Sequence, residues 1–295
     1  MIPNINKAVY PFEGKYLDLT DIKIHYLDEG NGDPVVMLHG NPTWSIYYRN
    51  LVHTLKNNYR CIVPDHVGCG LSDKPNDDFY EYSLDQRITD IEMMLQYLKI
   101  NKNITLVMHD WGAMIGMGYA LRHPKTVKKL VVMNSFAFTM PEEKKLPMNM
   151  RFFRNTYIGS AFLRHFNIFT SMYSVGGTTR TLMDNAVREA YQMPYDTQEN
   201  RIALQRFMED MPISGEEPSY DFAKEIEDNL SKFSKLPMLI CWGMKDNLFD
   251  ETFLNEWIKH FPNASVKKFD DCGHYILEDA MQEVCNLIAQ FLHTN

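Results

Sequence analysis

Three short segments of this chain carry side chains that could make and break bonds. In Leu106-Val107-Met108-His109-Asp110-Trp111-Gly112 an apolar run ends in a carboxylic acid and then turns toward helical sequence. The pattern is that of an elbow, Gly-x-Nu-x-Gly, with Asp110 in the nucleophile position and Met108 in place of the first glycine. Such a turn pushes one side chain out of the strand end, facing backbone N–H groups at the helix start. The plainer alternative is that Asp110 only caps the helix. A carboxylate is a competent nucleophile at neutral pH without a base to deprotonate it. An ester formed on it can be hydrolysed if a neutral imidazole takes a proton from water. His274, in Asp271-Cys272-Gly273-His274-Tyr275, is late in the chain, loop-borne and preceded by glycine. An acid just after an earlier apolar run could orient it: Asp246 is the candidate, with Asp250 four residues on as the fallback. Asn134 stands at the other candidate position and supplies no carboxylate.

These residues need a scaffold that gathers strand ends at one edge. Residues 35–38, 61–63, 104–108 and 130–133 are short apolar runs without alternation, as expected of strands buried on both faces. Residues 16–18 and 22–26 alternate around Thr20-Asp21, which predicts an antiparallel hairpin. Helical periods over 84–98 and around 116–121 alternate with the strands, so the chain predicts a doubly wound, mostly parallel sheet. From 136 to 217 the pattern gives only helical stretches, over 150–169, 181–191 and 200–208. The strand–helix rhythm then resumes at 238–242, 253–261 and 266–269, with a last helix ending near Leu292. Residues 1–135 and 218–295 are therefore expected to form an α/β core. Residues 136–217 form a helical cap (lid) over the C-terminal sheet edge, where open α/β sheets bind ligands.

Nucleophile, acid and histidine in that chain order resemble the α/β-hydrolase fold. There, the loop after the first buried strand, here Leu38-His39-Gly40-Asn41-Pro42-Thr43-Trp44, donates a backbone N–H to an oxyanion hole, as does the residue after the nucleophile, here Trp111. With Pro64-Asp65-His66-Val67-Gly68-Cys69-Gly70-Leu71-Ser72-Asp73-Lys74-Pro75 and Trp242-Gly243-Met244-Lys245-Asp246, these motifs resemble the haloalkane dehalogenase family over nearly the whole chain. The resemblance implies that Asp110 attacks an sp³ carbon and expels halide, that His274 activates water, and that Asp246 orients His274. It also implies that the Asn41 amide and the Trp111 indole N–H hold the leaving halide. Neutral donors can stabilise an anion without trapping it, whereas core packing and an Asx turn are the plainer roles for these two residues. Met108 and Ala113 depart from the family pattern at tightly packed positions, which predicts local adjustment.

The resemblance implies no metal or organic cofactor, and no His/Asp/Glu cluster has ligand spacing in the sequence. The stretches 114–118, 195–201, 242–250 and 253–257 are also similar to the subfamily that includes olefin-forming β-lactone decarboxylases, which resemble dehalogenases in every catalytic residue. The dehalogenase reading stands first and the decarboxylase is its alternative. An epoxide hydrolase ranks third: it needs acidic lid tyrosines, for which Tyr157, Tyr173, Tyr191 and Tyr195 are available. A catalytically silent binding protein has no reason to keep all three reactive groups. Phe152, Phe153, Phe162, Phe166 and Phe169 in the lid suit either a long-chain substrate or the core.

Composition sets the frame for these readings. The chain has 295 residues, 45% hydrophobic and 23% charged, enough to bury a core and far from disordered or fibrous compositions. Thirty basic against thirty-eight acidic side chains give a net charge of −8, which argues against nucleic acid or an anionic membrane as partner and leaves a small apolar substrate. Cys61, Cys69, Cys241, Cys272 and Cys285 are odd in number and lack a CxxC pair, and the first fifteen residues lack a signal-peptide pattern. The expected location is cytoplasmic, with reduced thiols; the oligomeric state is not legible.

Overall fold

The computed structural model describes residues 5–19 and 21–294, with the side chains of 149 and 173–175 left aside. Eight strands form one sheet: β1 (Lys15–Leu19), β2 (Ile22–Glu29), β3 (Pro34–Leu38), β4 (Arg60–Pro64), β5 (Ile104–Asp110), β6 (Val127–Ser135), β7 (Met238–Gly243) and β8 (Ser265–Phe269). Their order across the sheet is β1-β2-β4-β3-β5-β6-β7-β8. β1 and β2 pair antiparallel, as do β2 and β4, and every pair from β4 to β8 is parallel. The expected hairpin is the antiparallel edge, although Thr20 of its turn lies outside the described residues. β5 is buried along its whole length and β7 likewise, as their unbroken apolar runs require of strands covered on both faces.

Between β6 and β7 the described residues contain helices and no strand. The helical stretch expected over 150–169 is three separate helices, Met148–Asn155, Tyr157–His165 and Ile168–Gly176. Thr156 causes the first break: its extended backbone ends one helix and its hydroxyl caps the next by accepting from the Gly159 N–H at 2.9 Å. The stretch expected from 181 begins only at Asn185, and the one expected from 200 is the helix Ile202–Glu209 after a single 3₁₀ turn. Helix Arg49–Leu55 carried no clear sequence signal.

The Met108 side chain packs against a glycine of the following helix. A Cβ built on Gly116 would lie 2.5 Å from the Met108 Sδ, so the missing side chain one turn into helix Trp111–Arg122 makes the room that Met108 fills. The loops at the sheet edge are tied together by Asp65, which is fully buried after β4. Its Oδ1 accepts from the Ser45 N–H at 2.6 Å, and its Oδ2 accepts from His25 Nδ1 and the Leu71 N–H, both at 2.8 Å. Burial opposes its charge, yet His25, His39 and the Leu71 N–H together hold the carboxyl below the usual carboxylate range. Removing it would leave three donors, two of them buried, without an acceptor. Asp65→Ala is expected to lower stability by about 3–5 kcal/mol in urea unfolding. A loss under about 1 kcal/mol would mean that these loops are held by something else.

Candidate active site

β5 delivers Asp110 to the sheet edge in an elbow with φ 53° and ψ −129°, a conformation costing about 1–3 kcal/mol that the surrounding packing must hold. The strain has a geometric result: the side chain leaves the strand end and the next residue starts a helix. The two carboxylate oxygens then meet different surroundings. Oδ1 accepts from the Asn41 N–H at 2.6 Å, and the Trp111 N–H also bonds the carboxylate. Oδ2 faces His274 Nε2 at 3.8 Å. Gly40 permits this approach, since a Cβ there would fall 1.9 Å from Oδ1.

His274 Nδ1 donates to Asp246 Oδ2 at 2.7 Å. Asp246 is fixed in turn, its Oδ1 accepting from the Leu248 and Phe249 N–H groups at 2.8 and 3.1 Å. The fallback acid is elsewhere: Asp250 caps helix Glu251–His260 through the Thr252 N–H and pairs with Lys144 at 2.6 Å. The structure thus brings together Asp110, His274 and Asp246 and leaves Asp250 out. Asn134, at the end of β6, completes the arrangement. Its Nδ2 donates to Asp246 Oδ2 and to the Gly243 carbonyl, both at 3.0 Å, and its Oδ1 accepts from the Gly243 N–H at 2.8 Å. The sequence marks this position as a strand end, but not as a support for an acid in the loop after the neighbouring strand.

The electrostatics single out one imidazole. Burial disfavours the charge on His274, but Asp246 and Asp110 outweigh it and raise its pKa. Burial instead pushes His39 down to about 4 and His66 and His109 well below the ordinary range, so these three stay neutral. They act as struts: the His66 N–H donates to His39 Nε2 at 3.0 Å, and His109 Nε2 donates to the His274 carbonyl at 3.0 Å. Burial raises the Asp110 carboxyl to about 6, with His274 and the Trp111 and Asn41 N–H groups opposing it. Asp246 also loses solvation, but His274 and two backbone donors hold it below the usual range.

A second missed residue is Asp279, buried in the short helix after His274. Its carboxylate accepts from the N–H groups of Thr179, Arg180 and Thr181 in the lid at 2.9–3.0 Å, and from the Gly273 N–H at 2.7 Å. One buried acid thereby ties a lid segment to the loop that carries His274. No sequence pattern announces this, because three of the donors are backbone groups about a hundred residues away.

Of the expected anion donors, the Trp111 indole packs against Phe136 and Phe207, with ring centroids 5.1 and 5.2 Å apart. The Asn41 side-chain Nδ2 donates to the Leu204 carbonyl of the lid at 3.1 Å, which leaves its second proton for a ligand. The lid tyrosines have other engagements. Tyr191 donates to Glu278 at 2.6 Å, Tyr195 donates to the Thr43 carbonyl at 3.3 Å, and Tyr157 faces outward; the Tyr173 side chain lies outside the described residues. Among the described residues one possible metal-ligand group, Glu227, Glu256 and His260, converges within 4.8 Å; Glu256 and His260 stand four apart on one helix, a spacing not singled out in the sequence, and folding adds Glu227. Lys224 and Lys259 already pair with its two glutamates.

Set on this edge of a mostly parallel sheet beneath helices, the arrangement defines an α/β hydrolase, and the chain belongs to the α/β-hydrolase fold family, which it matches over residues 33–280. More particularly, it is 50% identical to a cis-3-alkyl-4-alkyloxetan-2-one decarboxylase of Shewanella oneidensis, over 97% of this chain and 90% of that protein. It is 28% identical to haloalkane dehalogenase 2 of Mycobacterium tuberculosis, over 96% of each chain. The crystal structure of haloalkane dehalogenase DatA from Agrobacterium tumefaciens C58 superposes with a TM-score of 0.85 at 24% identity, covering 95% of this chain and 96% of that one, a likeness of fold.

Two outcomes follow from the carboxylate's surroundings. Gly40→Ala should displace Oδ1 and lower kcat/KM by about 10²-fold while circular dichroism stays unchanged. An active variant would show that Oδ1 need not sit against the Asn41 N–H. Because Asp110 is raised to about 6, its charged form is lost as pH falls through that value. The logarithm of kcat/KM should therefore drop by about one per pH unit below it, and a flat profile down to about pH 4 would exclude a charged Asp110 from the rate.

Proposed function

We propose that this protein decarboxylates cis-3,4-dialkyl β-lactones to a cis alkene and CO₂. The observation that carries the reading is the 50% identity, over nearly the whole chain, to the Shewanella enzyme of that name, against 28% to a dehalogenase. The dehalogenase reading, first on motifs alone, becomes second, because both reactions call on the same side chains.

The site suits the lactone chemistry. Asp110 Oδ2 attacks C4 of the ring from the face opposite the ring oxygen. The new O–C4 bond forms as the old C4–O bond breaks, leaving a carboxylate on C3 and an alkyl ester on Asp110. That departing carboxylate is an anion leaving an sp³ carbon, as a halide would be, so the Asn41 amide and the Trp111 indole N–H serve either one. Inversion at C4 sets the ester bond anti to the C3–carboxylate bond. CO₂ then leaves, its electron pair forms the C=C bond, and the C4–O pair returns to Asp110. Inversion followed by anti elimination keeps the two alkyl groups cis.

This cycle consumes no water. His274, raised by its two carboxylate neighbours, then acts as a positive charge beside Asp110 that assists its departure, rather than as a base for hydrolysis. Burial of Asp110, 3% exposed, and His274, 5% exposed, fits a reaction in which water would divert the ester to a hydroxy acid.

The test is a purified-protein assay with a long-chain cis-β-lactone in heavy-oxygen water, beside a brominated-alkane panel. Alkene and CO₂ in equal amounts, with no label entering Asp110, are expected; Asp110→Asn should abolish both products. Fast halide release without alkene, with label in the Asp110 peptide, would make the protein a dehalogenase. With a bromoalkane, His274→Ala should accumulate an alkyl adduct on Asp110 in intact-mass spectra, and its absence would reject the covalent scheme.

A further inference from the structure

We propose that the outer face of the first lid helices docks on an anionic lipid bilayer. Of fourteen large apolar side chains exposed among the described residues, eight fall between 148 and 182. Met148 is 85% exposed, Tyr157 91% and Ile158 62%, with Phe152, Phe162 and Phe166 beside them in sequence and also exposed. They lie on helices Met148–Asn155 and Tyr157–His165 and just beyond, whose opposite sides bury Met150, Phe153 and Leu163 in the core. The phenylalanines read from sequence as substrate or core residues therefore divide: Phe153 and Phe169 are buried, whereas Phe152, Phe162 and Phe166 face outward.

Charge identifies the occupant. Residues 144–183 contain six Lys and Arg and no Asp or Glu, in a chain whose net charge is −8. Lys144, Arg154 and Arg180 pair with acids elsewhere in the protein, but Lys145 and Arg151 make no ion pair among the described residues. A groove of about 560 Å³ beside Tyr157 is lined by Arg154, Arg164 and His165, with Glu209 the one acid among its described lining residues. Exposed aromatic and aliphatic side chains interleaved with bases, in a segment that itself contains no acid, match an interface with acyl chains below and anionic headgroups above. A second copy meeting this face by two-fold symmetry would set bases against bases. The whole-chain charge hides this local reversal, which is why an anionic surface is not expected from composition.

The test uses the full chain and no substrate, so its outcome is separate from the choice between lactone and haloalkane. Flotation with phosphatidylglycerol–phosphatidylcholine vesicles is expected to carry the protein upward, with high salt releasing it and pure phosphatidylcholine carrying little. Arg151→Glu should weaken partitioning about fivefold per unit of charge changed. Ile158→Asp should weaken it as much or more. Both exposed substitutions should keep the melting temperature and the turnover of a short-chain soluble substrate. The proposal is overturned if the wild type stays with the soluble fraction, or if both variants float as it does. It also fails if the wild type is a dimer in solution that Ile158→Asp dissociates, since the face would then be a contact between copies.

Discussion

A carboxylate held ionisable in a closed site, with its two oxygens in unlike surroundings, is the constraint on which this structure depends. Oδ1 of Asp110 rests on the Asn41 backbone N–H, which cannot lose a proton or turn away, and the Trp111 N–H also bonds the carboxylate. Oδ2 faces the His274 ring at 3.8 Å, a distance too long for a hydrogen bond. One oxygen is thus anchored, and it is the other that attacks in the proposed reaction. The strained elbow, the missing side chain at Gly40 and the buried histidines around it all serve that division. Burial alone would neutralise the acid, and its raised pKa shows how near that limit it stands.

The second half of the site is held from the lid as much as from the sheet. His274 sits on a loop with little regular structure, yet the loop is bonded on several sides. Asp246 holds its ring, His109 its carbonyl, and Asp279 bonds the Gly273 N–H together with three N–H groups of the lid segment. The Asn41 amide bonds the Leu204 carbonyl across the same boundary. The helical insertion thus shares hydrogen bonds with Asn41 and, through Asp279, with the loop that carries His274. Any movement of the lid would be felt at both places, which links substrate entry to the geometry of the reacting groups.

The same side chains can support hydrolysis or elimination, and the difference lies in the substrate. A haloalkane loses its leaving group once and leaves an ester that only water can clear. A β-lactone keeps its leaving group attached to the next carbon, where it can depart again as CO₂ and release Asp110 without water. Catalytic residues therefore cannot tell the two apart. What supports the lactone proposal is similarity over nearly the whole chain, 50% to the Shewanella enzyme against 28% to a dehalogenase.

By itself the sequence determined what depends on local order: the buried strands, the elbow at Asp110, the Gly-His loop and the chain order of the reactive groups. Period, turn residues and fixed spacing are properties of neighbouring residues, so they are legible without coordinates. It left the choice between Asp246 and Asp250 open, because both follow β7 within one loop and only three-dimensional distance to His274 separates them. It ran the first lid helices together, because a single threonine cap interrupts an amphipathic period without erasing it. Asn134 and Asp279 became visible only in the fold, since each works through backbone groups on distant segments. The outward face of the lid is the last case: the pattern of phenylalanines is in the sequence, but which of them meet solvent is decided by how the helices pack.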